Sequence, residues 1–561
     1  MHKKTILTSL IALMVLVTAC GGQGGGSLPI IGGAQHVTVD VVYGSEKTEW
    51  LEPLIKLYNG QNNKTASGKI IDVKGNAMGS IESVEQIIAG TIKPTVWSPA
   101  SSIYIPVANA EWRKANSADL VTGKPNDLVL SPVVIAMWKS MAEALGWPGK
   151  PIGWADIGTF AGSGKAWDAY GHPEWGTFKF GHTHPGFSNS GVAAILAMAY
   201  AAAGKQRNLS VADVNDPKVH DFMSQVESGI VHYGASTGFF GDRMFERGPS
   251  YLSAAVLYEN LVVAQENKRL TGASSQPPVV AIYPKEGTFY ANHPYVVLDA
   301  PWVTAEQKEA AKAFEAFLLA KPQQESALQL GFRPADPAVA LAAPLDANHG
   351  VDIAQPKTLL DVPPVDAIEA TQAQWRTTKK PVDVVLVLDI SGSMQGAKIA
   401  SAKASLKQFL DRLEGRDRVQ FMIFNSQISM VSELSQLSDK RDELKSRIDG
   451  IVEGGDTSLY DAALQAYTDL LHKGDPKRIR SVVFLTDGQD TSSTHTLKDV
   501  VSEINRSAGE GASSIKLFTI AYGSDADKSI LTQLAEPTGG REYDSGPQNV
   551  NAIYSDIATF F

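Results

Sequence analysis

From residue 36 onward, hydrophobic and polar positions switch repeatedly between the period of two that marks a strand and the period of about 3.6 that marks a helix. Val37-Thr38-Val39-Asp40-Val41-Val42-Tyr43 is rich in β-branched residues and stops at Gly44-Ser45, after which Trp50, Leu51, Leu54, Ile55, Leu57 and Tyr58 recur at helical spacing. The pattern predicts a strand, a polar turn and a helix. Similar units recur at residues 70–73 ahead of 81–88, and at Phe178-Lys179-Phe180 ahead of 192–200. Such alternation predicts an α/β fold layered around a mainly parallel sheet. Residues 344–381 break the pattern with proline, alanine and charge, including Pro363-Pro364, and read as a linker that holds a short helix over 365–375. At Val382 a new unit begins. Val384-Val385-Leu386-Val387-Leu388 is continuously apolar, as befits a central parallel strand covered on both faces. Further strands are expected over 419–424, 481–485 and 515–521, with helices over 399–413, 459–471, 497–504 and 550–561.

Length and charge narrow the reading. At 561 residues the chain exceeds one hydrophobic core and suits three compact units of roughly 100–200 residues each. Lys and Arg number 50 against 60 Asp and Glu, a net charge of −10, which disfavours nucleic acid and favours cationic or neutral partners. The single cysteine, Cys20, excludes an intrachain disulfide and a Cys-rich zinc site. Lys3 and Lys4 precede an apolar run over 6–19 that is shorter than the roughly 20 residues of a membrane span, the order of a secretory signal. Val17-Thr18-Ala19-Cys20 resembles the lipobox of bacterial lipoproteins. The resemblance implies that residues 1–20 address the chain out of the cytoplasm and that Cys20 receives the acyl chains that fix it to a lipid bilayer. An uncleaved helix with a buried cysteine is the alternative, against which Gly21-Gly22-Gln23-Gly24-Gly25-Gly26-Ser27 reads as the start of a flexible tether over 21–35. With no later apolar stretch of comparable length, membrane contact is expected through Cys20 alone.

Across residues 36–343, Ala311-Lys312-Ala313-Phe314-Glu315-Ala316-Phe317-Leu318-Leu319 followed by Gly331-Phe332-Arg333-Pro334 resembles the last lobe-spanning helices of bacterial extracytoplasmic solute-binding proteins. Pro94-Thr95-Val96-Trp97-Ser98-Pro99 resembles a strand end facing their cleft, and Ser131-Pro132-Val133-Val134-Ile135-Ala136 the crossover strand into their second lobe. The resemblance implies a type II periplasmic-binding-protein-like clamshell, in which a small molecule or peptide is held between two α/β lobes that close by hinge motion. Ligands of open α/β sheets sit beyond the strand C-termini, where turns and helix N-termini expose amides. On that logic the candidate contacts are Ser45, Ser80, Ser98, Ser101, Ser188 and Ser190, the last two flanking Asn189. Each is equally explained as a helix cap, a position where Ser and Asn are preferred for local backbone reasons. Trp97, Phe187 and Tyr258 are candidates for a pocket floor or for lobe core, and Arg243 and Arg333 for an anionic ligand, although Arg243 beside Asp242 also suits a pair within its loop.

The strongest motif lies later. The apolar strand runs into Asp389-Ile390-Ser391-Gly392-Ser393, which resembles the DxSxS loop of von Willebrand factor type A domains, and Gly454-Gly455-Asp456-Thr457 and Val482-Val483-Phe484-Leu485-Thr486-Asp487-Gly488 follow in that family's order. Residues 382–561 then form a doubly wound parallel-sheet domain of Rossmann-like type. The resemblance implies a metal-ion-dependent adhesion site for Mg²⁺, or Mn²⁺ or Ca²⁺. Ser391, Ser393 and Thr457 would coordinate through hydroxyls, and Asp389 and Asp487 directly or through water. A hard cation prefers oxygen ligands, and one open position would accept a carboxylate from a protein partner.

Signals for catalysis fail. Gly162-Ser163-Gly164-Lys165 lacks a P-loop's first glycine, where Thr159 stands, and its Ser/Thr, where Ala166 stands. Gly186-Phe187-Ser188-Asn189-Ser190 lacks the final glycine of a nucleophile elbow. His182 and His184 share a strand face without further zinc ligands in a recognisable pattern. The expectation is a lipid-anchored, non-enzymatic binding protein that joins a solute clamshell to a metal-dependent interaction domain, or else the binding component of an ABC transporter with an accessory domain.

Overall fold

The computed structural model describes residues 35–163, 166–508 and 515–561. The expected signal, the expected lipidation at Cys20 and the tether up to residue 34 therefore lie outside the described residues, as do Gly164 and Lys165 of the turn dismissed as a P-loop. In the first lobe the β-rich run forms the strand His36–Gly44, which pairs in parallel with Ile70–Met78 along its whole length and with Val96–Ser98 at its C-terminal half. Pro294–Val297 returns antiparallel beside Val96–Ser98. The helix Thr48–Gly60 buries Trp50, Leu51, Leu54, Ile55 and Tyr58 on this sheet, and the Tyr58 ring meets Phe314 of the helix Ala305–Leu318 at 5.0 Å. Leu57, counted with the apolar stripe, faces solvent instead.

The crossover phrase sits in Val129–Trp138, a ten-residue strand that leaves the first lobe and runs into the second. Its start pairs with Arg333–Pro334 and its end with Ala254–Tyr258 and Val279–Ile282; Phe180–Thr183 and Ile230–Gly234 extend the sheet. The helix Asn189–Ala203 is buried at every residue from 189 to 200. Its Ala, Gly and Ser content suits an element surrounded by protein on all sides, where small side chains allow close approach.

The stretch read as a linker is docked. Leu360 N donates to Thr288 O at 2.9 Å, and the helix Val365–Thr378 lies on the second lobe with Trp375 buried. Trp375 Nε1 donates to Glu227 Oε1 at 3.1 Å; His182 Nε2 meets the same oxygen at 3.0 Å, and the Tyr233 hydroxyl donates to Glu227 Oε2 at 2.6 Å. A carboxylate removed from water is thus met by polar partners from two strands and the incoming helix. Proline and alanine in this stretch signalled only irregular backbone, so docking by one tryptophan was not legible there.

The C-terminal unit is a six-stranded sheet in the order Ile428–Gln436, Arg418–Phe424, Val382–Asp389, Ile479–Thr486, Lys516–Tyr522 and Glu542–Ser545. All neighbours are parallel except the first pair. Val382–Asp389 is buried at every position, as its unbroken apolar run requires. The helix Val550–Ala558 turns the chain back to the second lobe, where Lys379 Nζ donates to Phe561 O at 2.6 Å and Phe560 stacks near His232. Among the described residues no helix is long and apolar enough to cross a membrane.

Trp375→Ala is expected to cost about 3–5 kcal/mol and Trp375→Phe, which keeps most of the packing but loses the bond to Glu227, about 1–2 kcal/mol. Urea unfolding of the two variants beside the parent checks both the order and the size.

Candidate functional site

The strand Val382–Asp389 delivers Asp389 to the C-terminal edge of its sheet, fully buried. Its Oδ1 accepts from Ser391 N at 2.8 Å, bending the loop so that hydroxyls alternate towards one side, and its Oδ2 accepts from Thr486 Oγ1 at 2.6 Å. Burial pushes the Asp389 carboxyl up, and the charge of Asp487 adds to this while the bonds from Thr486 and Ser391 oppose it. The Ser391 and Ser393 hydroxyls lie 3.0 Å apart, and Ser393 Oγ donates to Asp487 Oδ1 at 2.7 Å. Thr457 joins the group from another loop: a Cβ on Gly488 would sit 3.4 Å from Thr457 Oγ1 and 3.9 Å from Ser393 Oγ, which places both hydroxyls beside the Gly488 backbone.

The supporting loops are pinned by backbone. Gly454 N donates to Ile390 O at 2.7 Å, Gly392 N to Gly455 O at 3.0 Å, and Asn425 Nδ2 to Gly454 O at 2.6 Å. Gly454 and Gly455 adopt φ of +154° and +92°, conformations that a side chain would strain. Among the described residues no group of three or more His, Cys, Asp or Glu side chains is arranged for a metal. The set here is of another kind, three hydroxyls and two carboxylates, and hard oxygens of this type suit Mg²⁺. Sequence reading missed one member of the cluster, Lys398. It stands one residue into the helix Ala397–Arg412, and its Nζ lies 2.5 Å from Asp487 Oδ2. No local pattern distinguishes it from a solvent-facing lysine.

The clamshell residues meet at a closed seam. Ser45 Oγ, at the end of the first strand's turn, donates to Ser236 Oγ at 2.8 Å and accepts from Gly238 N at 3.1 Å across the lobes. Ser190 Oγ lies 2.7 Å from both Thr183 Oγ1 and Thr237 Oγ1, Ser188 Oγ lies 3.1 Å from Thr237 Oγ1, and Asn189 Nδ2 donates to the Tyr258 hydroxyl at 3.3 Å. The amides of Ile81 and Glu82, at the helix N-terminus where a ligand contact was expected, both donate to Phe187 O of the other lobe. Side chains at Gly79 or Gly238 would collide with that opposing backbone, so glycine permits the contact. Ser80 and Ser101 serve lobe-one backbone, Ser80 Oγ accepting from Ala100 N and Ser101 Oγ capping Ile103 N. Trp97 is lobe core, bonded to Ser83 Oγ. Arg333 is committed to Glu259 by two 2.7 Å bonds at the hinge, which leaves its charge spent. His184 is half-buried with its Nδ1 accepting from Gly186 N, and desolvation holds it well below the ordinary histidine range.

Beside the seam lies a buried triad that the sequence did not advertise. Lys47 Nζ donates to Glu46 Oε1 at 2.8 Å and sits 3.2 Å from His293 Nδ1. The His293 ring lies 5.8 Å from Tyr258. Ser98 Oγ, Asn189 Oδ1 and His293 Nε2 are buried around this point without a partner among the described residues. A cavity of about 550 Å³ opens next to it, with Glu49, Asp242, Glu246 and Lys268 among its walls.

The family model for bacterial extracellular solute-binding proteins matches residues 39–333, more than half of the chain. The chain belongs to that family. This solute-binding protein carries a von Willebrand factor type A domain, whose family model matches residues 383–551. Inter-alpha-trypsin inhibitor heavy chain H4 of Homo sapiens is 29% identical over 170 residues, 29% of this chain and 18% of that protein's length. The Bos taurus counterpart is 30% identical over 168 residues, again spanning 18% of its length. Among solved structures, a periplasmic thiamin binding protein aligns with 61% of this chain and 96% of its own at 12% identity and a TM-score of 0.43. A von Willebrand factor type A structure from Catenulispora acidiphila aligns with 32% of this chain and 42% of its own at 20% identity and a TM-score of 0.28.

The triad is expected to make closure sensitive to acid. Burial, aided by Lys47, pushes His293 down from 6.5 to about 4, so an opened seam takes up a proton in that interval while a closed one does not. Glu46 acts in the same sense lower down: against the upward push of burial, Lys47 and His293 hold it at about 2 rather than 4.5. Moving from pH 7 to pH 5 is therefore expected to favour opening, read as a larger radius of gyration in small-angle scattering, and His293→Gln is expected to flatten that response.

Proposed function

We propose that this chain is an extracytoplasmic binding protein that holds a small solute between its lobes and a divalent cation at the edge of its C-terminal sheet. Through that cation it takes a carboxylate of a protein partner. The observation that carries the reading is the chain of oxygens Ser391 Oγ, Ser393 Oγ and Asp487 Oδ1, spaced 3.0 and 2.7 Å and joined by Thr457. Ser391, Ser393, Thr457 and Asp487 would hold the ion, while Asp389, whose oxygens already serve Ser391 and Thr486, would act through water. The ion would supply a positive charge with an open position for an acidic partner group. Lys398 occupies one oxygen of Asp487, so in this account it competes with the cation for that charge.

The solute reading rests on family membership and on the three buried polar atoms without partners around Tyr258. The carboxylates of Glu49, Asp242 and Glu246 outnumber Lys268 in the adjoining cavity, which favours a cationic or neutral solute. Membership of a family of bacterial extracellular solute-binding proteins supports a place outside the cytoplasm, and lipid attachment through Cys20 completes the proposal. Binding rather than catalysis is the role assigned, because Ser188 and Ser190 are engaged with threonine hydroxyls and not with a base. Service to an ABC permease is the second reading, favoured by the hinge that Arg333 and Glu259 form between closing lobes.

Thermal melting of the parent chain is expected to rise with Mg²⁺, and Asp389→Ala combined with Ser391→Ala is expected to abolish the rise; an equal rise in that double variant contradicts the metal assignment. Lys398→Met is expected to tighten Mg²⁺ binding roughly tenfold, ~1.4 kcal/mol, in isothermal titration calorimetry.

A further inference from the structure

Where the second lobe meets the C-terminal domain, the charges are unbalanced. A cavity of about 80 Å³ is walled from the lobe by Arg243 and Arg247 and from the other unit by Arg541, and Asp556 is the carboxylate among its lining residues. Arg247 reaches across the seam, with Nη2 donating to Gly540 O at 3.0 Å and Nη1 to Glu536 O at 3.4 Å. Its charge thus meets carbonyls and no carboxylate. Arg541 lies over the ring of Tyr543 at 4.8 Å, and Arg243 has a loose, exposed partner in Glu246 at 3.4 Å.

A fourth cation crowds the same place. Lys516 Nζ lies 5.1 Å from the Tyr251 ring centre, and a side chain on Gly539 would fall 2.6 Å from that Nζ and 3.7 Å from Arg247 Nη1. Glycine at 539, with φ of +74°, therefore leaves room for the Lys516 ammonium, with Arg247 beside it. Burial, with help from Lys179 and Arg247, pulls Lys516 down to about 7. Asp556 answers part of the charge of Arg541 and Arg243, and the cations in excess of that one carboxylate repel one another in a partly dry seam unless a further anion joins them. In a chain of net charge −10 this concentration is a local feature that the overall composition does not explain.

We propose that this seam is a binding site for one small oxyanion of the phosphate or sulfate class, held jointly by Arg243 and Arg247 of the lobe and Arg541 of the von Willebrand factor type A domain. Guanidinium groups suit tetrahedral oxyanions because their paired N–H groups match two oxygens at once. The hollow's size excludes a nucleotide or sugar phosphate. Because the cations come from both units, the anion strengthens the attachment of one to the other. The site shares no lining residue with the metal cluster, and it shares the Phe239 wall with the solute cavity.

The test uses the purified full chain in chloride buffer at constant ionic strength, titrated with inorganic phosphate by calorimetry and followed in parallel by thermal melting. One equivalent of phosphate is expected to bind, sulfate to compete, and chloride and glucose 6-phosphate to do neither. Arg243→Gln combined with Arg541→Gln is expected to weaken binding at least tenfold. Asp556→Asn, which removes the repelling carboxylate, is expected to tighten it several-fold, a gain that a folding defect cannot produce. Absence of phosphate binding by the parent chain, equal binding by the double arginine variant, or no gain in Asp556→Asn would overturn the proposal.

Discussion

Two carboxylates placed under the edge of one sheet, Asp389 and Asp487, are withdrawn from water, and the loops around them are shaped by the need to answer that charge. Asp389 is answered by a loop amide and by Thr486; Asp487 is answered by the Ser393 hydroxyl and by Lys398. Once those bonds are made, three loops that are far apart in sequence share a small volume. The glycines at 454 and 455 then follow, since the backbone there adopts torsions that a side chain would strain. What remains is a set of neutral hydroxyls beside two acids, a surrounding in which a doubly charged ion is compensated without losing its attraction for a further carboxylate.

Compensation of buried charge also organises the rest of the molecule. Glu227 gathers Trp375, His182 and Tyr233 and so ties the helix Val365–Thr378 to the second lobe. Glu259 and Arg333 lock the return of the chain through the hinge, and Glu46, Lys47 and His293 neutralise one another beside the closed seam. Arg416 continues the linkage on the far side of the helix, donating to the carbonyls of Thr377 and Arg376 at 2.7 and 2.8 Å. The second lobe and the C-terminal domain thus share a packed boundary, whereas the two lobes meet through hydroxyls, backbone groups and the ion pair of Lys268 with Glu49.

Much of this was legible in the sequence where the information is local. Alternating periods located the strands and helices of both regions, and Asp389, Ser391 and Ser393 were readable together because one short loop carries them. Thr457 and Asp487 were readable from the family's motif order. Lys398 was not, because its role depends on an approach across the cluster to Asp487 that no spacing reports. Ser45, Ser188, Ser190 and Tyr258 were expected near a cleft and do meet at the lobe seam, but their partners Ser236, Thr237 and Gly238 were overlooked although they open a helix after a strand in the same way. Glu46 and Lys47 look like ordinary surface charges in a polar turn; only the arrival of His293, 246 residues later, shows why both are buried. Ser80 and Ser101 turned out to satisfy backbone within one lobe, the local role that serine caps commonly fill.

The most direct test of the central claim is anomalous diffraction from crystals of the full chain soaked in Mn²⁺. A single anomalous peak within coordinating reach of Ser391 Oγ, Ser393 Oγ, Thr457 Oγ1 and Asp487, with Lys398 displaced from the carboxylate, is the predicted result. A map with no peak between these side chains, and Lys398 still seated on Asp487 at saturating Mn²⁺, would contradict it.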